Sequence, residues 1–292
     1  VKGLTHTLTK EDYNYYFQCI QGLDVDIMGL SETYTCWSHY HLSSDYRSTL
    51  RRFTRQSKTA FGSVSPVIDK RLQTETFQAG GNLKSILGSL VSRAGGPDIL
   101  DKTGLGRWSG VKITGPDDRK LSIITAYRVC SGSPTTSPLG SSFLREYEFF
   151  REQQHRSPNP RRLFFADLQQ TVVDLQEAGN STILMIDANS TLDDPQLLHF
   201  LARCGLHDLH STDPPPSTFI GSANRRIDFI FGCDEARRFV IRSGSLAYTE
   251  GPQSDHRSLY ADLSADFIAP PPWQDINPPL SRDLYIGNPE RV

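Results

Sequence analysis

Four short stretches of this chain each present a carboxylate at one end of an apolar run: DVDIMGLSET with Glu32, STILMIDANS with Asp187, RRIDFIFG with Asp228, and QSDHRS with Asp255 beside His256. Runs of this length, bounded by polar residues, predict buried strands, and a buried strand end holds its side chains in place. Carboxylates gathered at such ends repel one another and cost folding energy unless something cationic neutralises them. A divalent metal is the simplest reason to keep several together. The chain reads as a metal-dependent enzyme.

With 292 residues and 37% hydrophobic content, the chain can bury a full core, and one large domain is expected. No apolar run has the length of a bilayer span, and the opening VKGLTHTLTKED lacks the charged-then-apolar layout of a secretory signal. A soluble protein with no membrane partner, nuclear or otherwise intracellular, is expected. The cysteines (Cys19, Cys36, Cys130, Cys204 and Cys233) are odd in number, scattered and never in a C-x-x-C pair, so they read as reduced thiols. A net charge of -2 gives no global pull toward a polyanion, which leaves any nucleic-acid affinity to local clusters. Arg47, Arg51, Arg52, Arg55 and Lys58 form one cluster, and Arg161 with Arg162 and Arg225 with Arg226 form shorter ones. Each taken alone reads equally well as a solvated face.

Spacing predicts the element order. Tyr13, Tyr16, Phe17 and Ile20 recur at helical intervals between a Thr9 cap and Gly22, and a strand over Val25 to Leu30 follows. A polar stretch of roughly fifty residues then shows little periodicity, as long functional loops do. Trp108 to Thr114 and Leu121 to Tyr127 read as a hairpin, and Phe143 to Gln154 and Leu163 to Ala178 as helices. The strand Thr182 to Ile186, a short helix from Pro195 to near Gly205, and strands at Ile227 to Phe231, Phe239 to Leu246 and Leu259 to Leu263 complete the domain, residues 1–268. Residues 269–292 are Pro-rich and read as a linker or tail. Mixed strands, hairpins and helices in this order predict an α+β sandwich with helices outside the sheets.

The ordered series Glu32 in LSET, Tyr127 in TAYRVC, Asp187 and Asn189 in IDAN, Asp228 in RRIDFIF, and Asp255 with His256 in SDH resembles the endonuclease/exonuclease/phosphatase superfamily. The segments GRWSGVKITGPDDRKLSIITAYRVC and EYEFFREQQHRSPNPRRLFFADLQQ are most similar to the endonuclease domains that precede reverse transcriptase in non-LTR retroelements. The resemblance implies a four-layer αββα sandwich, two mixed β-sheets face to face with helices on both outer sides. It implies Mg²⁺, with Mn²⁺ as a substitute, and DNA as the partner, nicked to prime a reverse transcriptase domain further along the polypeptide. An abasic-site repair nuclease like exonuclease III, a phosphatase of small or lipid phosphates, and a catalytically degenerate DNA-binding domain are the alternatives. The chain departs from the family at its start, where VKGL has no counterpart of the first-strand asparagine, and at IDAN, where glycine is usual before the aspartate.

By the same resemblance Glu32 and Asp255 would serve the metal, Asp187 would take the proton of the attacking water, and Asn189 would orient that water or the phosphate. His256 would donate to the scissile phosphate in a tautomer set by Asp228, and Tyr127 would touch the phosphate through its hydroxyl. Arg51, Arg52, Arg55, Arg128 and Arg226 are the expected nucleic-acid contacts. Several residues also have plainer readings. Asp228 alone could pair with Arg225 or Arg226. Asp24 and Asp26 read as turn or surface carboxylates, and Asp193 and Asp194 as a loop and helix cap. His207 and His210, without a third histidine or a cysteine nearby, read as structural.

Overall fold

The computed structural model describes residues 17–115, 118–153, 156–210, 216–221, 225–252 and 254–268. After a helical segment at residues 17–22 come β1 (Ile27–Ser31), α1 (Tyr40–Phe53), β2 (Ser57–Gly62), β3 (Asn82–Leu87), β4 (Ala94–Leu100), β5 (Trp108–Thr114) and β6 (Lys120–Tyr127). The second half contains α2 (Ser142–Glu152), α3 (Pro160–Glu177), β7 (Asn180–Asp187), α4 (Pro195–Cys204), β8 (Leu206–Asp208) and β9 (Asp228–Cys233). It ends with α5 (Asp234–Arg238), β10 (Val240–Ser245), β11 (Leu259–Leu263) and α6 (Ala265–Ile268). The expected helix start at Thr9 to Tyr16, the VKGL segment and the Pro-rich tail lie outside the described residues.

Alternation along the strands sets the layers, because successive side chains point to opposite faces. In the six-stranded sheet, ordered β4-β5-β6-β7-β9-β8, Leu184, Ile186, Ile124 and Phe229 face outward onto Phe164 and Leu168 of α3 and Phe200 of α4. Ile183, Ile123, Val111 and Ile230 face inward, onto Ala60 and Ile86 of the three-stranded sheet β1-β3-β2 and onto Leu259 and Ala261 of the β10-β11 pair. The far side of the three-stranded sheet is covered by Phe17, Tyr46 and Leu50, from residues 17–22 and α1. These are the four layers of the expected α+β sandwich. The six-stranded sheet is mixed, with β6 and β7 parallel, while the described pairings of the facing layer are antiparallel.

The featureless polar stretch is structured. It holds α1 and β2, which were illegible because α1 buries only Ser43, Tyr46 and Leu50, a narrow stripe among polar residues. The strand β4 also carries little sequence signal. Its sequence AGGPDIL has little strand propensity, and its pairing with β5 shifts register between Gly95 and Ile99, where a proline is tolerated. By contrast α4 begins at Pro195, is capped by the Asp194 carboxylate accepting the Gln196 N–H, and ends at Gly205 with φ +58°.

A lysine stands inside the sheet-to-sheet layer. Lys84 of β3 is fully buried, its Nζ donating to the Met185 sulfur at 2.9 Å. The space comes from Gly29 opposite it on β1, where a Cβ would collide with Thr125 Oγ1 and press on Lys84 Nζ and Met185 Sδ. Burial pushes the Lys84 amine down to about 7. The folded chain therefore sheds a proton that an unfolded lysine keeps until about pH 10.4, so folding gains stability between those two pH values. Lys84→Met should be more stable than the parent at pH 7 by on the order of 4 kcal/mol, a margin that shrinks toward pH 10. Denaturant titrations at both pH values check this, and a pH-independent difference would refute it.

Candidate active site

Strand register brings the predicted residues together. The β6–β7 pairing sets Tyr127 against Asp187, and the β7–β9 pairing sets Asp187 against Asp228, so the three share one rung and one face at the end of the six-stranded sheet. That face is the inner one, carrying Ile183 and Met185 along the same strand as Asp187. Glu32 arrives from the facing sheet, immediately after β1, where the chain turns into the left-handed region with φ +52° at Glu32 and +51° at Tyr34. Backbone bonds from Thr33 N–H to Gly81 and from Tyr34 N–H to Gly80 hold that turn. Non-glycine residues hold such angles only where their surroundings impose them.

The donors converge. Carboxylate oxygens of Glu32 and Asp187 and a ring nitrogen of His256 all lie within 4.8 Å of one another. Tyr127 is buried and its hydroxyl donates to Glu32 Oε1 at 2.5 Å, so it supports the carboxylate. The Asp228 carboxylate lies 2.8 Å from His256 Nδ1, a bond that leaves Nε2 as the free ring nitrogen. Asp187 accepts the Asn189 N–H at 3.0 Å. Asn189 itself sits at φ +47°, with its side-chain amide donating to the Arg128 carbonyl at 2.7 Å.

Electrostatics follow from this crowding. Burial holds the Asp187 carboxyl well above the usual carboxylate range, and the charges of Asp228 and Glu32 add to the effect against the opposing His256. Burial pulls His256 down, but the bond to Asp228 and the charges of Asp228 and Asp187 outweigh it and leave the imidazole above its ordinary value. Burial also raises the Tyr34 hydroxyl, with further contributions from Glu32 and Asp255. A hard divalent cation suits the carboxylates of Glu32 and Asp187, with the His256 imidazole, hydrogen-bonded to Asp228, beside them. Among the described residues this is the one cluster of three or more such donors.

Other expected residues stand elsewhere. Asp255 follows the same turn as His256, but consecutive side chains of an extended segment diverge, and its carboxylate is not among the converging donors. Arg128 is 1% exposed, bound to Asp194, Ser190 and Gln196, and cannot reach a nucleic acid. Arg226 is likewise committed, to Asp208 at 2.5 and 2.8 Å, with its guanidinium over Phe229. Arg51, Arg52 and Arg55 are exposed, yet Arg55 lines a hollow with Asp24, Asp26 and Leu87 at the entry of β1. Six residues of extended chain, about 20 Å, separate that end from Glu32. These arginines were expected from charge alone, which does not record whether a guanidinium already has partners.

The plainer readings resolve too. Asp228 pairs with His256 rather than an arginine, Asp194 is a helix cap, and His207 lies on β8 beside Asp234 at 3.0 Å. Three residues near the site were not anticipated as part of it: Tyr34, stacked on Phe77, the exposed Cys130, whose thiol donates to Asn189 Oδ1 at 3.1 Å, and Arg161. Only Arg161 left a sequence signal, as half of a basic pair.

No family model and no curated protein matches the sequence. Solved structures match its fold. The AP endonuclease LMAP of Leishmania major superposes with a TM-score of 0.63 at 14% identity, covering 89% of this chain and 84% of that one. The 3′ phosphatase NExo of Neisseria, bound to a product DNA hairpin, gives 0.54 at 15% identity, covering 86% and 95%. The endonuclease domain of TRAS1, a telomere-specific non-LTR retrotransposon, gives 0.51 at 12% identity, covering 87% and 93%. The chain thus shares its fold with these endonucleases and this phosphatase.

A carboxylate held above its ordinary pKa by burial and like charges favours its protonated form in the fold and costs stability once pH rises past the unfolded value. Asp187→Asn should therefore raise the thermal midpoint of the metal-free protein near neutral pH, by about 2–4 °C for each 1 kcal/mol of repulsion relieved. Added divalent ion should stabilise the parent more than the variant. Calorimetry with chelator and with Mg²⁺ checks both, and a variant less stable without metal would contradict the repulsion.

Proposed function

We propose that this chain is a divalent-metal-dependent phosphodiesterase acting on DNA, an endonuclease that leaves nicks. The observation that carries the reading is the convergence of Glu32, Asp187 and His256, from three remote segments, within 4.8 Å. Glu32 and Asp187 would hold the ion, Mg²⁺ by preference for hard oxygens and Mn²⁺ by tolerance of a nearby imidazole. Bound there, the ion supplies positive charge for a phosphorane-like transition state and an acidified water.

The chain's own groups divide the remaining work. Asp187 in its ionised form accepts the proton of the attacking water, while the Asn189 carboxamide orients that water or the phosphate. His256, whose charged form Asp228 favours, donates from Nε2 to the phosphate oxygen on which charge grows. Tyr127 fixes Glu32 through its hydroxyl. Asp255, on the turn beside His256, is left to the leaving oxygen.

The DNA substrate is supported by the substrates named for proteins of this fold, AP endonucleases and a phosphatase bound to a DNA hairpin. The finer reading, target nicking for retroelement integration, rests on the segments GRWSGVKITGPDDRKLSIITAYRVC and EYEFFREQQHRSPNPRRLFFADLQQ and on the fold shared with the TRAS1 domain. On that reading the full-length protein would carry a reverse transcriptase domain fused to or following this one. A repair role is the second reading, because the Leishmania AP endonuclease superposes better than the TRAS1 domain.

Supercoiled plasmid should become open circles with Mg²⁺ or Mn²⁺ and stay intact with chelator. Asp187→Asn should lower the nicking rate by about 10³-fold or more while DNA binding changes little. Undiminished nicking by that variant, or activity indifferent to chelator, would end the assignment. A rate on abasic duplex far above that on intact plasmid would select the repair reading.

A further inference from the structure

Every polar atom of Asn189 has a partner. Its N–H donates to Asp187 Oδ1, its Nδ2 to the Arg128 carbonyl, its Oδ1 accepts the Cys130 thiol, and its own carbonyl accepts Arg161 Nη2 at 3.0 Å. A left-handed φ of +47° needs such over-determination to persist. Two of these four partners belong to arginines, the Arg128 carbonyl and the Arg161 guanidinium.

Arg161, near the start of α3, spans two loops at once: Nη1 donates to the Val129 carbonyl after β6 at 2.5 Å, and Nη2 to the Asn189 carbonyl after β7. Arg128 runs in the opposite direction, Nε donating to the Arg161 carbonyl at 3.1 Å, Nη1 to Ser190 Oγ and Asp194 Oδ2, and Nη2 to Gln196 Oε1. Its guanidinium lies 4.3 Å over the Phe165 ring. Each arginine thus grips backbone next to the other. The strand ends that carry Tyr127 and Asp187 are tied through this clasp to the first turns of α3 and α4.

Resting on the phosphodiesterase reading, we propose that Arg161 and Arg128 are positioning residues that lock the loops after β6 and β7 so that Asn189 and Asp187 keep one relative geometry. Neither is placed to bind substrate. Arg128 is 1% exposed, and both Nη atoms of Arg161, 16% exposed, are spent on carbonyls. The planar fork is what the site uses, and lysine carries the charge without the fork.

Arg161→Lys therefore separates geometry from charge. In the full chain we expect it to fold, to speed amide hydrogen exchange in residues 128–130 and 187–190 by about tenfold, and to leave more distant strands protected. The kcat for nicking should drop about 10²-fold, the scale of an ångström of misplacement, with KM within about threefold. In an Asn189→Ala background the same change should cost less than about threefold, because the two residues act as one unit. A raised KM at unchanged kcat, a full 10²-fold loss in the Asn189→Ala background, or unaltered exchange in a folded Arg161→Lys protein would each overturn the proposal. If Arg161→Lys does not fold, Arg128→Lys is read by the same criteria. Absence of nicking by the parent protein would count against the phosphodiesterase reading alone, since the exchange measurement tests the clasp without it.

Discussion

Burial of the Asp187 carboxylate between two sheets, beside Glu32 and Asp228, is the constraint on which the rest of the site depends. In a low-dielectric layer an unpaired carboxylate is costly, and two more nearby make it costlier. The chain nevertheless concentrates its order there. A rung of Tyr127, Asp187 and Asp228 runs across three adjacent strands, and Glu32 is turned toward it from the opposing sheet through a strained backbone. Folding energy is thereby traded for a preorganised pocket that attracts a cation.

The sandwich makes this arrangement possible. Sheets packed face to face bring strand ends from opposite layers to one rim, so residues as remote as Glu32 and His256 can meet. Around the converging donors lies a shell of groups with one task each: Tyr127 holds Glu32, Asp228 holds His256, and the arginine clasp holds Asn189. None of these supports is on a long unsupported loop. Tyr127 and Asp228 stand on strand termini and Arg161 on the first turn of α3, all stiff attachments.

How much of this was legible in the sequence depended on how local the signal was. Trp108 to Thr114 was bounded correctly because its apolar residues lie between a tryptophan and a Gly-Pro turn, and α4 because a proline opens it and a glycine closes it. The convergence of Glu32, Asp187 and Asp228 was legible because each stands at the end of a buried strand, where the core fixes its position; Asp255 lies on no strand. The strands β2 and β4 and helix α1 were illegible, since each buries few residues and draws its stability from neighbours remote in sequence. Charge misled most. Arg128 and Arg226 read as free cations, whereas both are absorbed by the Asp194 and Asp208 carboxylates; Arg51, Arg52 and Arg55 remain exposed. A sequence shows that an arginine is present but not which partner has already claimed it.

The most direct test is to locate a divalent ion by anomalous X-ray scattering from crystals grown with Mn²⁺. One strong peak bounded by the carboxylates of Glu32 and Asp187, within about 2.0–2.4 Å of their oxygens, is the predicted result. A well-occupied ion elsewhere on the chain, with those carboxylates bare, would contradict it.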